Sequence, residues 1–118
     1  MKFMLILKSS KDSEAGKMPS EESIAAMVKY NQEQAKAGIL VDAAGLYPSS
    51  KGARVRFSAG GKKTVTDGPF TESKELVGGY AILQFASKAE AMEWTKRFVQ
   101  VDAPGRLGRE SECELRPF

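Results

Sequence analysis

Apolar residues recur along this chain with two different periods, and the switches between them mark out its elements. Phe3 to Leu7 is a short continuous apolar run, the pattern of a central strand covered on both faces. A polar loop follows from Ser9 to Pro19. Ser20 then caps a helix whose first turn carries Glu21 and Glu22, acidic where the helix dipole favours it. Ile24, Met27, Val28, Asn31 and Ala35 recur at helical spacing as its expected inner stripe, and Gly38 is placed to end it. Ile39 to Leu46 reads as a second strand, stopped by Tyr47-Pro48-Ser49-Ser50. Arg54 to Phe57 alternates with period two, and Ala59-Gly60-Gly61-Lys62 turns the chain into Lys63 to Thr66, which makes a hairpin. Gly79 to Phe85 is the next strand. Ser87 and Glu90 have capping-box spacing ahead of a helix from Lys88 to Val99, with Ala91, Met92, Thr95, Phe98 and Val99 inward. Val101 to Arg109, with its proline and glycines, reads as loop, and Ser111 to Arg116 closes the pattern as an alternating strand.

The order β-α-β-(β-β)-β-α-β is that of an α+β, ferredoxin-like split βαβ sandwich with an inserted β-hairpin, in one domain over residues 1–118. Two helices on one side of one sheet leave the other side bare. A chain this short buries roughly 65% of its unfolded surface and has no third layer to offer. The expected cover is a second copy, so the chain is expected to be a homodimer. Alternate residues of Phe3–Leu7 and the pair Cys113 and Leu115 are expected on the covered-by-partner face.

Composition narrows the function by exclusion. A balance of 18 basic against 15 acidic residues, net +3, is too mild to argue for nucleic acid, and no aromatic platform accompanies the cations. No apolar run approaches the ~20 residues of a membrane span, and the five apolar residues after Lys2 fall short of a ~7–15-residue leader core. One cysteine, Cys113, has no intramolecular partner, which fits a reducing, cytoplasmic setting. The chain has no histidine, which removes the commonest general base, the commonest metal ligand and any Ser-His or Cys-His nucleophile. No phosphate-binding or dinucleotide glycine fingerprint is present; Gly60-Gly61 and Gly78-Gly79 read as turn and strand-bulge glycines. No metal and no cofactor is expected.

What remains concentrates around Asp67-Gly68-Pro69-Phe70. Asp67 reads either as a carboxylate at a pocket rim, acting as a base or holding a polar substrate group, or as an Asx-turn residue serving the amides ahead of it, and both can hold at once. Gly68 permits positive φ and Pro69 fixes φ. Arg54, Arg56, Lys62 and Lys63 follow Lys51 with no acid between Lys51 and Thr66. That run is either a solvated edge hairpin that uses charge against edge-to-edge pairing, or a site for an anionic small molecule suited to arginine's fork. Tyr47 offers a hydroxyl as donor. Tyr80 and Trp94 read as core or interface aromatics, Glu72, Lys74 and Glu75 as solubilising loop charges, and Cys113 as a buried, inert thiol.

Asp67-Gly-Pro-Phe-Thr-Glu-Ser-Lys-Glu-Leu76 with Gly78-Gly79-Tyr80 resembles the signature of the DGPF group of the YCII-related family. Lys2–Leu7, Met18–Glu22, Ala37–Leu40, Gly45-Leu46 with Pro48-Ser49-Ser50, and Glu114–Phe118 carry the likeness along nearly the whole chain. The resemblance implies a bacterial protein of the dimeric α/β-barrel class, in which two sheets meet face to face. Two positions depart from it. Close relatives have glutamate and histidine in a Gly-Glu-Gly-Leu-His-Pro segment where this chain has Ala44 and Tyr47, and the His–Asp pair proposed as an active site in the wider family has no histidine here. The expected function is binding of a small polar or anionic molecule in a pocket beside the sheet, with Asp67, Arg54, Arg56 and Tyr47 as its residues. Two alternatives stand beside it: an isomerase- or lyase-like enzyme in which Asp67 is catalytic, and a non-catalytic dimeric regulatory module tied to transcriptional signalling, since family members often lie near sigma-factor genes.

Overall fold

The computed structural model describes residues 1–72, 75–106 (101–106 as backbone alone) and 112–118. Lys74, and Ser111 at the expected start of the last strand, lie outside the described residues, as do positions 107–109 of the expected loop. The elements run β1 (Lys2–Lys8), α1 (Lys11–Glu14), α2 (Glu21–Lys36), β2 (Leu40–Gly45), a 3-10 turn (Ser49–Lys51), β3 (Ala53–Phe57), β4 (Lys63–Asp67), β5 (Val77–Gln84), α3 (Lys88–Arg106) and β6 (Cys113–Pro117). The main sheet is antiparallel in the order β2-β5-β1-β6, the ferredoxin-like arrangement, and β3 and β4 form a separate two-stranded sheet. The expected α+β fold with its inserted hairpin is therefore the one observed.

Local chemistry sets the ends of α2. The Ser20 hydroxyl accepts the Ser23 amide at 3.1 Å. At the other end Gly38 takes φ +73°, its amide bonds to the Ala35 carbonyl, and the Ile39 amide reaches back to Gln34, closing a Schellman motif that buries Ile39. Ser87 caps α3 through the Glu90 amide, while the Glu90 carboxylate takes the Ala86 amide, one residue ahead of the capping-box partner. The α3 helix continues past Val99, through Pro104, to Arg106, which corrects the expected loop. Pro104 falls in the last turn, so the one backbone bond it removes and the carbonyl it crowds lie near the end of the helix.

The core lies between the sheet and the two long helices: Phe3, Leu5 and Leu83 from the strands, with Phe85 just after β5, meet Tyr30, Ala91 and Phe98 from the helices. The inner face of α2 differs from its apolar stripe. Ile24 and Val28 are 42% and 50% exposed, whereas Ser23, Tyr30 and Gln34 are buried beside a partly buried Met27. Polar side chains can occupy that face because Gln34 donates to the Tyr30 hydroxyl, which donates in turn to the Trp94 carbonyl. On α3, Met92 is turned outward, and Trp94, partly buried, packs on the core beside Tyr30.

Register also corrects the bare face. Leu5 pairs with Leu115 and Leu7 with Cys113, so Cys113 and Leu115 share the helix-covered side with Phe3 and pack on the core. The side no helix covers carries Met4 and Ile6 paired with Ile82 and Tyr80. Gly78 lies at the shift between Leu7/Lys8 and β5, and a Cβ on Gly79 would stand 3.1 Å from the Ala44 carbonyl, in keeping with strand-bulge glycines.

Candidate functional site

The hairpin leaves the domain where β2 ends, at Tyr47–Gly52, and returns through the Asp67–Phe70 turn. That turn lies directly on the 3-10 turn. The Gly68 amide donates to the Gly52 carbonyl at 3.0 Å, and a Cβ on Gly68 would come within 1.7 Å of the Ser49 carbonyl oxygen. Glycine is required here by close approach, not by positive φ. The Gly68–Pro69 peptide is cis. The next amide, Phe70, donates to the Ser49 hydroxyl oxygen at 2.9 Å. Ser49 is held in its turn by Glu14 at the end of α1: its amide donates to Oε1 at 3.0 Å and its hydroxyl to Oε2.

The turn amides are thus served by Gly52 and Ser49, so Asp67 is not the Asx-turn residue. Its carboxylate is exposed, with no hydrogen bond or ion pair to a described residue.

The hairpin register sorts the remaining candidates. Arg54 pairs with Thr66 and Arg56 with Thr64, which places two guanidinium groups and two hydroxyls on one face, around a recess of about 300 Å³. The Arg54 guanidinium carbon stands 4.2 Å from the centroid of the Phe70 ring, a cation–π contact that ties the recess to the turn. Neither arginine has an acidic partner among the described residues. Asp67 pairs with Ala53 and shares the opposite face with Val55 and Val65. Tyr47 is 86% exposed on the loop before the 3-10 turn. The structure brings Arg54 and Arg56 together, adds Thr64 and Thr66, and sets Asp67 apart from them within one chain. The threonines were legible once Arg-Val-Arg was set opposite Thr-Val-Thr in a hairpin; Glu14, 35 residues from Ser49, has no local signal.

Two arginines at i and i+2 on one strand face stand roughly 7 Å apart. Their repulsion is about 0.6 kcal/mol through water, which the hairpin tolerates, and an anion between them converts it to attraction. On the bare sheet face a second recess of about 330 Å³ is lined by Met4, Ile6, Arg116, Pro117 and Phe118. Nearby the Tyr80 hydroxyl donates to Asp42 at 3.2 Å, and the Asp42 carboxylate raises the phenol above its ordinary range by opposing its negative charge. Among the described residues no group of three or more His, Cys, Asp or Glu side chains is gathered to hold a metal ion, and no helix is long and apolar enough to cross a membrane.

Fold and site together define a small ferredoxin-like protein whose inserted hairpin carries a cationic recess. The YCII-related domain model matches residues 1–108, and the chain belongs to that family. It is 39% identical over 61 residues to an uncharacterised protein of Rhizobium meliloti (strain 1021), a match spanning 52% of this chain and 48% of that one. The chain thus matches about half the length of that curated relative. Among solved structures it is similar to 5-chloro-2-hydroxyhydroquinone dehydrochlorinase from Burkholderia phenoliruptrix AC1100, in complex with 2,5-dihydroxybenzoquinone. That likeness covers 97% of this chain and 91% of the other at 16% identity, with a TM-score of 0.49.

Proposed function

We propose that the protein binds a small anionic molecule, a phosphate or carboxylate, in the recess formed by Arg54, Arg56, Thr64 and Thr66. The observation that carries this reading is the pairing of two guanidinium groups, neither with an acidic partner among the described residues, with two hydroxyl donors on one hairpin face. Arginine's fork and a threonine hydroxyl together satisfy the oxygens of such a group, at about 1.5–3 kcal/mol for each charged hydrogen bond and less where water competes. Two or three such contacts amount to a dissociation constant of about 1–10 mM for a bare anion, the remainder of a natural ligand adding to it.

Titration with inorganic phosphate at low ionic strength, followed by NMR of the hairpin amides, tests the reading. Saturation centred on Thr64 and Thr66, weakened by about tenfold in Arg54→Ala or Arg56→Ala, is the expected outcome. Unmoved hairpin amides would sink it. The same site works within a homodimer whose bare sheet faces, Met4, Ile6, Tyr80 and Ile82, meet each other. A catalytic role for Asp67 is the second reading, favoured by its unengaged carboxylate. Asp67→Asn keeps the fold in either case, and unchanged handling of the eventual ligand by that variant would remove this reading.

A further inference from the structure

We infer that Glu14 is a positioning residue for the recess, acting through Ser49 on the backbone of Phe70, whose ring carries Arg54. Two observations hold the inference up: the direction of the hydrogen bonds and the exposure of every residue of β3 and β4. Ser49 presents two donors, its amide and its hydroxyl, to a single carboxylate. With the hydroxyl proton committed to Glu14, the lone pairs on Ser49 Oγ are free to accept the Phe70 amide. The relay therefore runs one way, from carboxylate to hydroxyl to amide. A glutamine at position 14 offers only one acceptor oxygen. In one orientation its NH2 group faces the Ser49 amide, donor against donor; in the other it donates to Ser49 Oγ, and the hydroxyl proton loses the acceptor that fixed its direction.

Proline at position 69 makes Phe70 the first residue after Gly68 with an amide to give. That amide fixes the backbone beside the ring, and the ring sits beneath the Arg54 guanidinium. Every residue of β3 and β4 is exposed, so packing within the chain does little to hold the strand that bears Arg54 and Arg56. The clip from α1 supplies orientation that burial does not.

The binding half of this inference rests on the anion reading, so the experiment carries two readouts on the full chain. The first is the upfield ring-current shift of the Arg54 Nε–H resonance, with amides of β1 and β5 as the control for folding. The shift is expected in the parent and in Ser49→Thr, which keeps the hydroxyl, and is expected to collapse in Glu14→Ala, Glu14→Gln and Ser49→Ala with the sheet amides unmoved. The second is inorganic phosphate affinity, expected to weaken by about fivefold to tenfold in those three variants and no further in the Glu14→Ala/Ser49→Ala double variant, because both act on one chain of contacts. An Arg54 shift retained in Glu14→Gln overturns the inference, whatever phosphate does, and that variant decides alone if Glu14→Ala does not fold. A parent that ignores phosphate overturns the anion reading, while the ring-current comparison still decides the positioning role.

Discussion

Tyr30 joins the two long helices through one hydroxyl, which donates to the Trp94 carbonyl at 2.8 Å and accepts from Gln34 at 3.1 Å, with the Trp94 and Phe98 rings edge-on at 5.9 and 5.8 Å. Burial pushes its phenol up to about 12, with Arg97 pulling the other way and losing to desolvation. A folded-state value above the unfolded one near 10 means that the native state holds its proton longer. The stabilisation is complete below pH ~10 and is lost as pH rises towards ~12, at most about 2–3 kcal/mol across that window. Urea midpoints measured through the window are expected to fall in the parent and to lose this component in Tyr30→Phe. At neutral pH that variant is less stable by about 1–2 kcal/mol, since the Gln34 amide and the Trp94 carbonyl lose their partner. This site was closed to a reading by hydropathy. Ile24 and Val28 score as inner residues and Gln34 as an outer one, because a scale prices each side chain alone, whereas here two polar groups are buried by satisfying each other.

At the scale of elements, what was legible is what local chemistry determines. Ser20, Gly38 and Ser87 mark helix ends through bonds to amides and carbonyls a few residues away, and alternation over Arg54–Phe57 and Lys63–Thr66 gave the hairpin and its facing pairs. The turn Asp67–Phe70 is marked in the sequence by its Gly-Pro pair, but the reason for its glycine is not positive φ and lies elsewhere in the chain, in the Ser49 carbonyl that occupies the space a side chain would need. Gly68→Ala is expected to cost about 3 kcal/mol or more, since the obstacle is backbone and cannot rotate away. Thermal unfolding checks this, and a variant as stable as the parent would show that the two turns separate freely. Register alone puts Asp67 and the arginines on opposite faces, since Asp67 pairs with Ala53, one residue off the Arg54–Thr66 pair.

For the whole molecule, the Cα radius of gyration is 16.0 Å, with extents of 48 × 32 × 20 Å, against about 13.5 Å for a compact domain of this length. Apolar surface stays open within one chain, at the half-buried Met4, Ile6, Tyr80 and Ile82 of the bare sheet face and on the hairpin at Val55, Phe57 and Val65, each about two-thirds exposed. The proposed homodimer buries the sheet patch. Light scattering at micromolar concentration is expected to give twice the 12.8 kDa chain mass, and Ile6→Lys, which sets a charge in the middle of the patch, is expected to yield monomers with an intact fold. A parent of monomer mass would overturn the dimer. Every residue of β3 and β4 is exposed, so detachment of the hairpin forfeits little of the core. Its amides are therefore expected to exchange with solvent deuterium through a small, denaturant-insensitive opening, and those of β1 and β5 only on global unfolding. The molecule thus has two free-energy depths, and its cationic recess belongs to the shallower one.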